Sequence, residues 1–322
     1  MRIGQNPAKA IDHVATPEKI TVAVVSYIPF LGGYYAESLD VLKTCLGSLW
    51  QNTGQPYDLL VFDNASCLEV RNYLSEAQQA GRIQYLVLSD KNVGKSGAWN
   101  FIFNAAPGEY IAYADSDVYF YPGWLAAQMA LFDRFPKLGM VTGVPLRVPE
   151  EFSTSTVEWA QDNPDVQLAR GQLLPWEDYW KHAHSLGIET EEEGRQLYAA
   201  NQDVCLVHNS TRYYIGAGHF QFISRRDVLQ SLLPLPADRP MGQVRSLDIA
   251  INERGLLRLS TPEWWVQHLG NTLQDFDRRL PSGVQSNHTP EPKPTSRFWS
   301  WKPARRLLVW VYNKAFDNLY RN

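Results

Sequence analysis

Apolar runs alternate with segments of helical periodicity over the first third of the chain. The run Ile20–Tyr27, ITVAVVSY, is β-branched and almost continuously apolar, which is typical of a buried parallel strand. In Leu39–Gln51 the leucines and a tryptophan recur three or four positions apart, a spacing that predicts a helix. Tyr57–Asp63, YDLLVFD, then predicts a second strand, so the pattern begins with one strand-helix-strand unit.

The same alternation continues beyond this unit. It predicts, in order, a helix over Leu68–Ala80, a strand over Ile83–Leu88, a helix over Ser96–Asn104 and a strand over Tyr110–Ala114. Strands that alternate with helices predict an α/β protein with a doubly wound, mostly parallel sheet flanked by helices. In such sheets ligands bind at the carboxyl ends of the strands.

The alternation stops near Pro149. The polar, tryptophan-bearing stretch that follows, to residue 212, is interpreted as a largely helical insertion. Strand-like runs return at Asp203–His208 and Tyr213–Ile223, and Ser246–Arg254 predicts a helix. Four prolines with Ser, Asn and Thr between them then give residues 281–296 a linker composition.

Composition and charge exclude several classes of protein. With 44% hydrophobic and 20% charged residues the chain is an ordinary globular protein, and a net charge of −4 provides no basic field for nucleic acid. The cysteines Cys45, Cys67 and Cys205 are far apart and form no C-x-x-C pair, so we expect reduced thiols. No apolar stretch resembles a secretory signal or reaches the ~18 residues of a spanning helix, so we expect a cytoplasmic protein.

The strongest local signal is the segment Tyr110–Val118, a hydrophobic strand that ends in Asp115 and Asp117. Two carboxylates at a strand end can bind a hard divalent cation that keeps positions open for substrate phosphates. This pattern favours Mn²⁺ or Mg²⁺ holding a diphosphate leaving group. The alternative is that both residues only cap a turn before Pro122.

Other polar motifs follow neighbouring strands of the predicted sheet. The second strand ends in Asp63-Asn-Ala-Ser66, and the third is followed by Asp90–Asn100, DKNVGKSGAWN. Together with V-S-Y after the first strand and D-S-D after the fourth, these motifs resemble the nucleotide-binding half of the family 2 glycosyltransferases, which have the GT-A fold. The resemblance covers about residues 20 to 145, with the motifs in the same order.

The resemblance implies a set of nucleotide-sugar-binding residues: Ser26, Tyr27, Asp63, Asn92, Gly94, Lys95, Asp115 and Ser116. Asp63 would accept a hydrogen bond from the base, Asp115 would face the ribose or diphosphate, and Asp117 would coordinate the metal. Taken from the residues alone, Asp63 is equally an ordinary turn residue, and N-x-G is commonly just a turn.

The acceptor half resembles the family less explicitly. Gly216–Arg226 resembles a glycine-bearing strand beside the acceptor pocket, which implies that Gly218 and His219 bind the acceptor. The alternative for His219 is a packed or hydrogen-bonded histidine. Leu247-Asp248 resembles the acidic start of the helix that supplies the catalytic base, and it implies that Asp248 deprotonates the acceptor hydroxyl.

Two positions in this half leave an alternative open. The family's usual pair is Glu-Asp, and here Leu247 occupies the first position, which leaves Asp248 as base or as a simple helix N-cap. Trp264–Asn271 resembles the segment with the late histidine of many GT-A enzymes. It implies that His268 binds the metal or contacts a phosphate, with a structural histidine as the alternative.

The resemblance thus implies a metal-dependent glycosyltransferase that moves a sugar from a nucleotide-diphospho-sugar, UDP-linked by preference, to a carbohydrate, glycolipid or other hydroxyl acceptor, with inversion. The alternatives are a non-catalytic carbohydrate- or nucleotide-binding protein on the same fold, or a nucleotidyltransferase. The predicted segments are an N-terminal extension (1–19), a nucleotide-sugar-binding half (20–145), the helical insertion (146–212), an acceptor and catalytic half (213–280), the linker (281–296) and a C-terminal helical tail (297–322).

The tail differs in composition from the rest of the chain. It carries Arg297, Lys302, Arg305, Arg306, Lys314 and Arg321, with Trp299, Trp301, Trp310 and Phe316 among the interleaved aromatic residues. A cationic, tryptophan-rich helix can lie in a membrane interface, and this would bring the protein to the inner membrane face. The alternative is a helix packed on the catalytic domain or on a second subunit.

Overall fold

The structure is a computed structural model. It divides into two units, 1–281 and 282–322, and the account below concerns the first. The described residues are 3–239, 244–274, 276 and 314. The predicted linker and tail therefore lie outside the described residues, apart from Lys314.

Strands and helices alternate through most of the first unit. The strands are β1 (Ile20–Ser26), β2 (Asp58–Asn64), β3 (Tyr85–Ser89), β4 (Tyr110–Asp115), β5 (Val118–Phe120), β6 (Leu138–Thr142), β7 (Val166–Gly171), β8 (Asp203–His208), β9 (Thr211–Ile215), β10 (Gln221–Arg225), β11 (Leu257–Ser260) and β12 (Val266–His268). The α-helices are α1 (Ser38–Asn52), α2 (Leu68–Gln79), α3 (Gly94–Ala105), α4 (Trp124–Arg134), α5 (Thr154–Gln161), α6 (Trp176–Ser185), α7 (Glu191–Ala200), α8 (Arg226–Ser231) and α9 (Arg245–Glu253).

Ten strands form one mixed sheet in the order β3-β2-β1-β4-β10-β6-β11-β9-β8-β7, and β12 pairs with β5 in a second, small sheet. The strands β1 to β4 are mutually parallel, and β10 is antiparallel to both of its neighbours. The prediction of a mostly parallel sheet flanked by helices is confirmed. The predicted bounds of β1 to β4 and of the helices between them agree with the structure to within two residues.

Helices cover both faces of this sheet, which explains why β1 is apolar at nearly every position. Val22 and Val24 belong to the hydrophobic cluster that includes Leu42 and Leu46 of α1. Ala23 belongs to the other cluster, which contains Trp99 of α3. Successive side chains of a strand point to opposite faces, so a strand between two helical layers needs apolar residues throughout. Among the described residues, no helix is long and apolar enough to cross a membrane.

One predicted strand is wrong in its extent. Tyr213–Ile223 was expected as a single run, but the chain forms β9 and β10 with a loop over residues 216–220 between them. Gly216 has a φ of +93°, and a Cβ atom there would lie 2.5 Å from Cβ of Val148. A left-handed glycine in a tight contact breaks the strand, and the chain crosses from β11, the partner of β9, to β4 and β6.

The middle of the chain, predicted as a largely helical insertion, contains both helices and strands. Residues 146–212 contain α5, α6 and α7, and they also contain β7 and β8, which extend the large sheet at one end. The strand β8 has the predicted bounds. The strand β7 was not predicted, because most of its positions are half-buried or exposed and give no apolar run.

Candidate functional site

The ends of β4 and of the loop before β10 meet at one edge of the large sheet. The backbone N–H of Asp115 donates to the carbonyl oxygen of Phe220 at 2.8 Å. This bond sets the 216–220 loop beside the end of β4. The residues predicted for the acceptor therefore lie next to those predicted for the nucleotide sugar.

Asp115 lies between a cation and a phenol. Lys95 Nζ, from the first turn of α3, is 2.6 Å from Asp115 Oδ2, and the Tyr113 hydroxyl donates to the other carboxylate oxygen. Burial raises the pKa of Asp115, although Lys95 opposes this effect. The same ammonium group lies 5.5 Å from the ring centroid of Trp99. Lys95 is thus held at the sheet edge, where it can meet an anionic ligand.

Asp117 forms a pair with His268 across the small sheet. The strands β5 and β12 are antiparallel, and the Leu269 N–H donates to the Asp117 carbonyl at 2.7 Å. His268 Nε2 lies 3.3 Å from Asp117 Oδ2. Burial alone would raise the pKa of Asp117, but the facing imidazole, together with the Lys95 charge and a backbone hydrogen bond, lowers that pKa on balance. Burial alone would lower the pKa of His268, but the Asp117 charge and hydrogen bond, together with the Asp115 charge, raise that pKa on balance.

The insertion completes this pair. The Ser185 hydroxyl at the end of α6 donates to the His182 carbonyl at 2.7 Å, so its oxygen can accept from His268 Nδ1 at 3.1 Å. A neutral histidine that donates from Nδ1 keeps its lone pair on Nε2, where a metal ion could accept it. Ser185 therefore orients the ring of His268 whose Nε2 faces Asp117.

The Asp117–His268 pair fits a divalent metal ion. Asp117 Oδ1 is buried and has no hydrogen-bond partner among the described residues. An open carboxylate oxygen and an imidazole nitrogen are suitable donors for Mn²⁺, and the carboxylate also for Mg²⁺. Within the described part of the chain no group of three His, Cys, Asp or Glu side chains could hold a metal. Two protein ligands would leave the remaining positions to a diphosphate.

Ser26 and Asp63 bind each other inside the protein. Both residues are 0% exposed, and Ser26 Oγ donates to Asp63 Oδ1 at 3.0 Å. The second oxygen, Oδ2, accepts from the Ser66 N–H at 3.1 Å and lies 3.3 Å from Arg71 Nε. In this arrangement Asp63 has no free oxygen for a base. Its carboxylate shapes the turn after β2, which is the turn role that the residues alone left open.

A pair of asparagines holds the loop before α3. Asn92 Oδ1 accepts from Asn64 Nδ2 and from the Gly94 N–H, each at 2.9 Å, and Asn64 Oδ1 accepts from the Val93 N–H at 2.8 Å. Gly94 has a φ of +71°, so the helix begins at a left-handed residue. Asn92 thus has a turn role, and the loop that it shapes presents Lys95.

The remaining two residues predicted for the nucleotide sugar are more accessible. Tyr27 is 38% exposed just after β1, and Ser116 lies half-buried in the turn between β4 and β5. Both are placed at the sheet edge where the ends of β1 and β4 lie side by side.

Asp248 is the centre of a second polar cluster. It lies within α9, whose N-cap is Val244, so the N-cap alternative is wrong. The residue is 2% exposed, its Oδ2 lies 2.8 Å from His219 Nε2, and its Oδ1 contacts Arg258. Arg258 is 0% exposed and donates to the carbonyls of Phe152 at 2.7 Å and Ala217 at 2.9 Å.

Gly218 has a packing role in this conformation. A Cβ atom at this position would lie 2.9 Å from side-chain atoms of both Leu146 and Phe220, so protein already fills the space. Its N–H donates to Thr142 Oγ1 at 2.6 Å. The small residue is therefore explained without a sugar that approaches the backbone.

Sequence reasoning missed Arg258 and Ser185. Arginine is rarely buried without a partner, and the run L-R-L-S that contains Arg258 does not predict a buried site residue. Its only signal is a charged residue between two leucines, Leu257 and Leu259, in a short apolar run. Ser185 has no signal, because nothing in the insertion indicates that α6 ends against β12.

One family model matches the part of the chain that contains Asp63, Lys95, Asp115 and Asp117. Residues 34–188 match the model of the family described as glycosyl transferase family 2. No curated protein matches the sequence.

Several solved structures are similar to the chain. Residues 1–349 of Staphylococcus aureus TarS share 12% identity over 77% of this chain and 60% of that one, with a TM-score of 0.47. The mannosyltransferase PcManGT from Pyrobaculum calidifontis, solved with GDP-Man and Mn²⁺, shares 17% identity over 77% and 56%, with a TM-score of 0.46. GalNAc-T7, solved with UDP, GalNAc and Mn²⁺, shares 16% over 78% and 43%, with a TM-score of 0.48. The match thus spans between 43% and 60% of these proteins' lengths.

Proposed function

We propose that this chain, which belongs to glycosyl transferase family 2 over residues 34–188, transfers a sugar from a nucleotide-diphospho-sugar to a hydroxyl acceptor. The observation that carries the proposal is the Asp117–His268 pair, with an open carboxylate oxygen, beside Lys95 at the end of β4. A cation site next to a fixed ammonium group suits a diphosphate. We take a UDP-linked sugar as the first donor to test.

The residues at the end of β4 have separate roles in binding the donor. Asp117 and His268 would hold Mn²⁺ or Mg²⁺, which neutralises the charge that develops on the leaving diphosphate. Lys95 adds a second positive charge, and Asp115 holds that ammonium group in place. Tyr27 offers an exposed aromatic face beside the end of β1, where a base can stack.

The Asp248–His219 pair provides the proton acceptor for the hydroxyl that attacks. Proton removal in the transition state needs a base within hydrogen-bond reach, and this pair lies in the loop and helix beside the end of β4. We propose a single displacement at the anomeric carbon, with the base on one side and the leaving diphosphate on the other. Such a displacement inverts the configuration.

The missing acid before Asp248 does not favour the non-catalytic alternative. Leu247 is 0% exposed and packs in the hydrophobic cluster with Trp99 and Ile251. An acid in its place would be buried in that cluster, away from a ligand. The position therefore belongs to the core, and the leucine removes no group from the site.

Nucleotide binding tests the proposal directly. We expect UDP, or another of GDP, dTDP, CDP and ADP, to raise the melting temperature in the presence of Mn²⁺. At a hundredfold excess over Kd a ligand adds about 2.7 kcal/mol to stability. Asp117→Asn should abolish the metal-dependent part of the shift, while Asp133→Asn on the exposed side of α4 should keep it. Absence of any shift with all five nucleotides would overturn the proposal.

The tail is proposed to contact the membrane surface. The support is its basic and aromatic composition over residues 297–322, which lie outside the described residues apart from Lys314. Deletion of residues 297–322 should move the protein from the membrane fraction of cells to the supernatant. Unchanged sedimentation would contradict the contact.

A further inference from the structure

We propose that His219, through Nδ1, is the group that takes the proton of the acceptor hydroxyl, and that Asp248 and Arg258 are positioning residues. The inference rests on the proposed glycosyl transfer and changes the residue that acts as base in it. It follows from the contacts of three side chains.

Asp248 has no side open to an acceptor. Its side chain is 3% exposed, with Oδ2 at 2.8 Å from His219 Nε2 and Oδ1 against Arg258. A hydroxyl could reach the carboxylate only after one of these neighbours moved away. A general base must lie within hydrogen-bond reach of the proton that it takes, and here the imidazole stands in the way.

Arg258 also keeps Asp248 enclosed. The guanidinium group is 0% exposed and is fixed by the Phe152 and Ala217 carbonyls, so it cannot swing out of the pair. The carboxylate is therefore held between this group and the His219 imidazole, with no approach left for a hydroxyl. The same arrangement is well suited to orienting a neighbour.

His219 is the accessible member of the cluster. Its side chain is 21% exposed, and Nδ1 has no hydrogen-bond partner among the described residues. The next residue, Phe220, accepts from the Asp115 N–H, and the His219 ring lies 6.1 Å from the Trp99 ring that also faces Lys95. The imidazole therefore lies beside the end of β4, where the diphosphate site is predicted.

The step balances with the imidazole as base. In the neutral ring the proton lies on Nε2, the nitrogen 2.8 Å from Asp248 Oδ2, and the lone pair lies on Nδ1. As the acceptor oxygen forms a bond to the anomeric carbon, its proton passes to Nδ1 and the bond between that carbon and the diphosphate oxygen breaks. The imidazolium that forms is stabilised by the Asp248 charge, and the nucleoside diphosphate leaves with the electron pair.

The first test measures the ring itself and needs no acceptor. Two-dimensional ¹H–¹⁵N NMR on protein with labelled histidine reports the tautomer of each of the seven histidines, and His219→Asn assigns the signal. We expect neutral His219 to carry its proton on Nε2 and to lose this preference in Asp248→Asn. A ring protonated on Nδ1 would overturn the proposal, because that nitrogen could then accept nothing.

The second test measures release of nucleoside diphosphate from the donor that the shift assay identifies, with water as acceptor. Removing a general base lowers the rate by about 10²–10⁴-fold. We expect such a loss in His219→Ala, with at least tenfold recovery on addition of imidazole and an unchanged nucleotide-induced melting shift. His184→Ala, on the exposed side of α6, should keep the wild-type rate and give no response to imidazole.

Two results separate the inference from the proposed function. A full rate in His219→Ala, with the rate lost in Asp248→Asn, would return the base to the carboxylate and overturn the inference while the transferase remains. A wild-type protein that binds no nucleotide would overturn the function instead. If the wild type binds a donor and releases no diphosphate to water, the His219 tautomer measured by NMR decides whether the inference stands.

Discussion

The site contains two aspartate–histidine pairs whose surroundings differ. In the Asp117–His268 pair one carboxylate oxygen is buried without a partner among the described residues, and Ser185 occupies the outer nitrogen of the histidine. In the Asp248–His219 pair each carboxylate oxygen faces a nitrogen, of His219 or of Arg258, and no described residue bonds the outer nitrogen of the histidine. The atom that no described side chain faces is thus on the carboxylate in the first pair and on the imidazole in the second.

This difference decides which ligand each pair can take. A carboxylate with an open oxygen attracts a cation, and the nearest group that offsets the Asp117 charge among the described residues is the His268 imidazole, with Lys95 contributing less. The Asp248 charge is already offset by Arg258, so a metal ion gains little there. The same two residue types therefore suit a metal in one place and a proton in the other.

The largest effect should come from removing the cation of the second pair. Arg258→Met leaves a buried carboxylate without compensation, and we expect a loss of about 3–5 kcal/mol in the free energy of unfolding, measured by urea denaturation. Arg258→Met combined with Asp248→Asn should recover part of the loss, because the unpaired charge is gone. A single variant that loses under 1 kcal/mol would show that the arginine does not neutralise Asp248.

The next effect concerns the open oxygen of the first pair. Asp117→Asn removes one ligand and the charge that attracts the metal, so we expect diphosphate release to fall about a thousandfold, or roughly 4 kcal/mol in the barrier. The urea midpoint should change little. Asp133→Asn serves as the control. Equal rates of diphosphate release in the two variants would show that Asp117 does not bind the metal ion.

A third histidine beside the first pair gives a pH effect. Burial, with a smaller contribution from the His268 charge, lowers the pKa of His182 from 6.5 to about 3. The unfolded chain binds this proton below about pH 6.5 and the folded chain does not. Stability should therefore fall as pH drops, by up to roughly 1.4 kcal/mol per pH unit. His182→Leu should flatten this slope in urea titrations from pH 6.5 to 4, and an unchanged slope would contradict it.

The pH dependence of stability that His182 causes has the opposite sign to the one that His268 causes. The pKa of His268 is raised, so its stabilisation is present at low pH and is lost as pH rises through the folded value. His184→Leu, on the exposed side of the same helix as His182, is the matched control and should leave the slope in place.

The smallest effect should come from the outer nitrogen of the first pair. Ser185→Ala removes the hydrogen-bond acceptor of His268 Nδ1. Loss of such a partner typically lowers the affinity for the metal ion about 10–100-fold. Mn²⁺ affinity in the presence of nucleotide, measured by electron paramagnetic resonance of the free ion, should fall accordingly. Ser231→Ala is matched, because both serines donate to the carbonyl three residues earlier in their helix. Equal affinities would mean that Ser185 does not orient the ring.

The sequence predicts the first half of the fold well because its signals are local. A strand such as β1, covered by helices on both faces, must be apolar at consecutive positions, and that run is visible without any tertiary knowledge. The strand β7 has no such run, and the break at Gly216 depends on a contact with Val148 that no local pattern shows.

From the residues alone, without the family resemblance, the site was predictable where its residues follow strands. Asp115 and Asp117 stand out because two carboxylates end a hydrophobic run. The function of Arg258 depends on Asp248, which is ten positions away and on another element, and its burial runs against the usual preference of arginine. The contacts of the Asp63 oxygens could not be predicted for the same reason, because their partner Arg71 lies on another element, α2.

The contact between Ser185 and His268 has a consequence for how the protein matures. The two residues are 83 positions apart, and closing a loop of that length costs about 4 kcal/mol of chain entropy. The hydrogen bond that orients His268 therefore cannot form until β12 has been synthesised and the insertion has docked against it. Chains stalled earlier would already hold β1 to β4 yet lack the completed cation site, so metal-dependent nucleotide binding would report complete folding more faithfully than secondary-structure content.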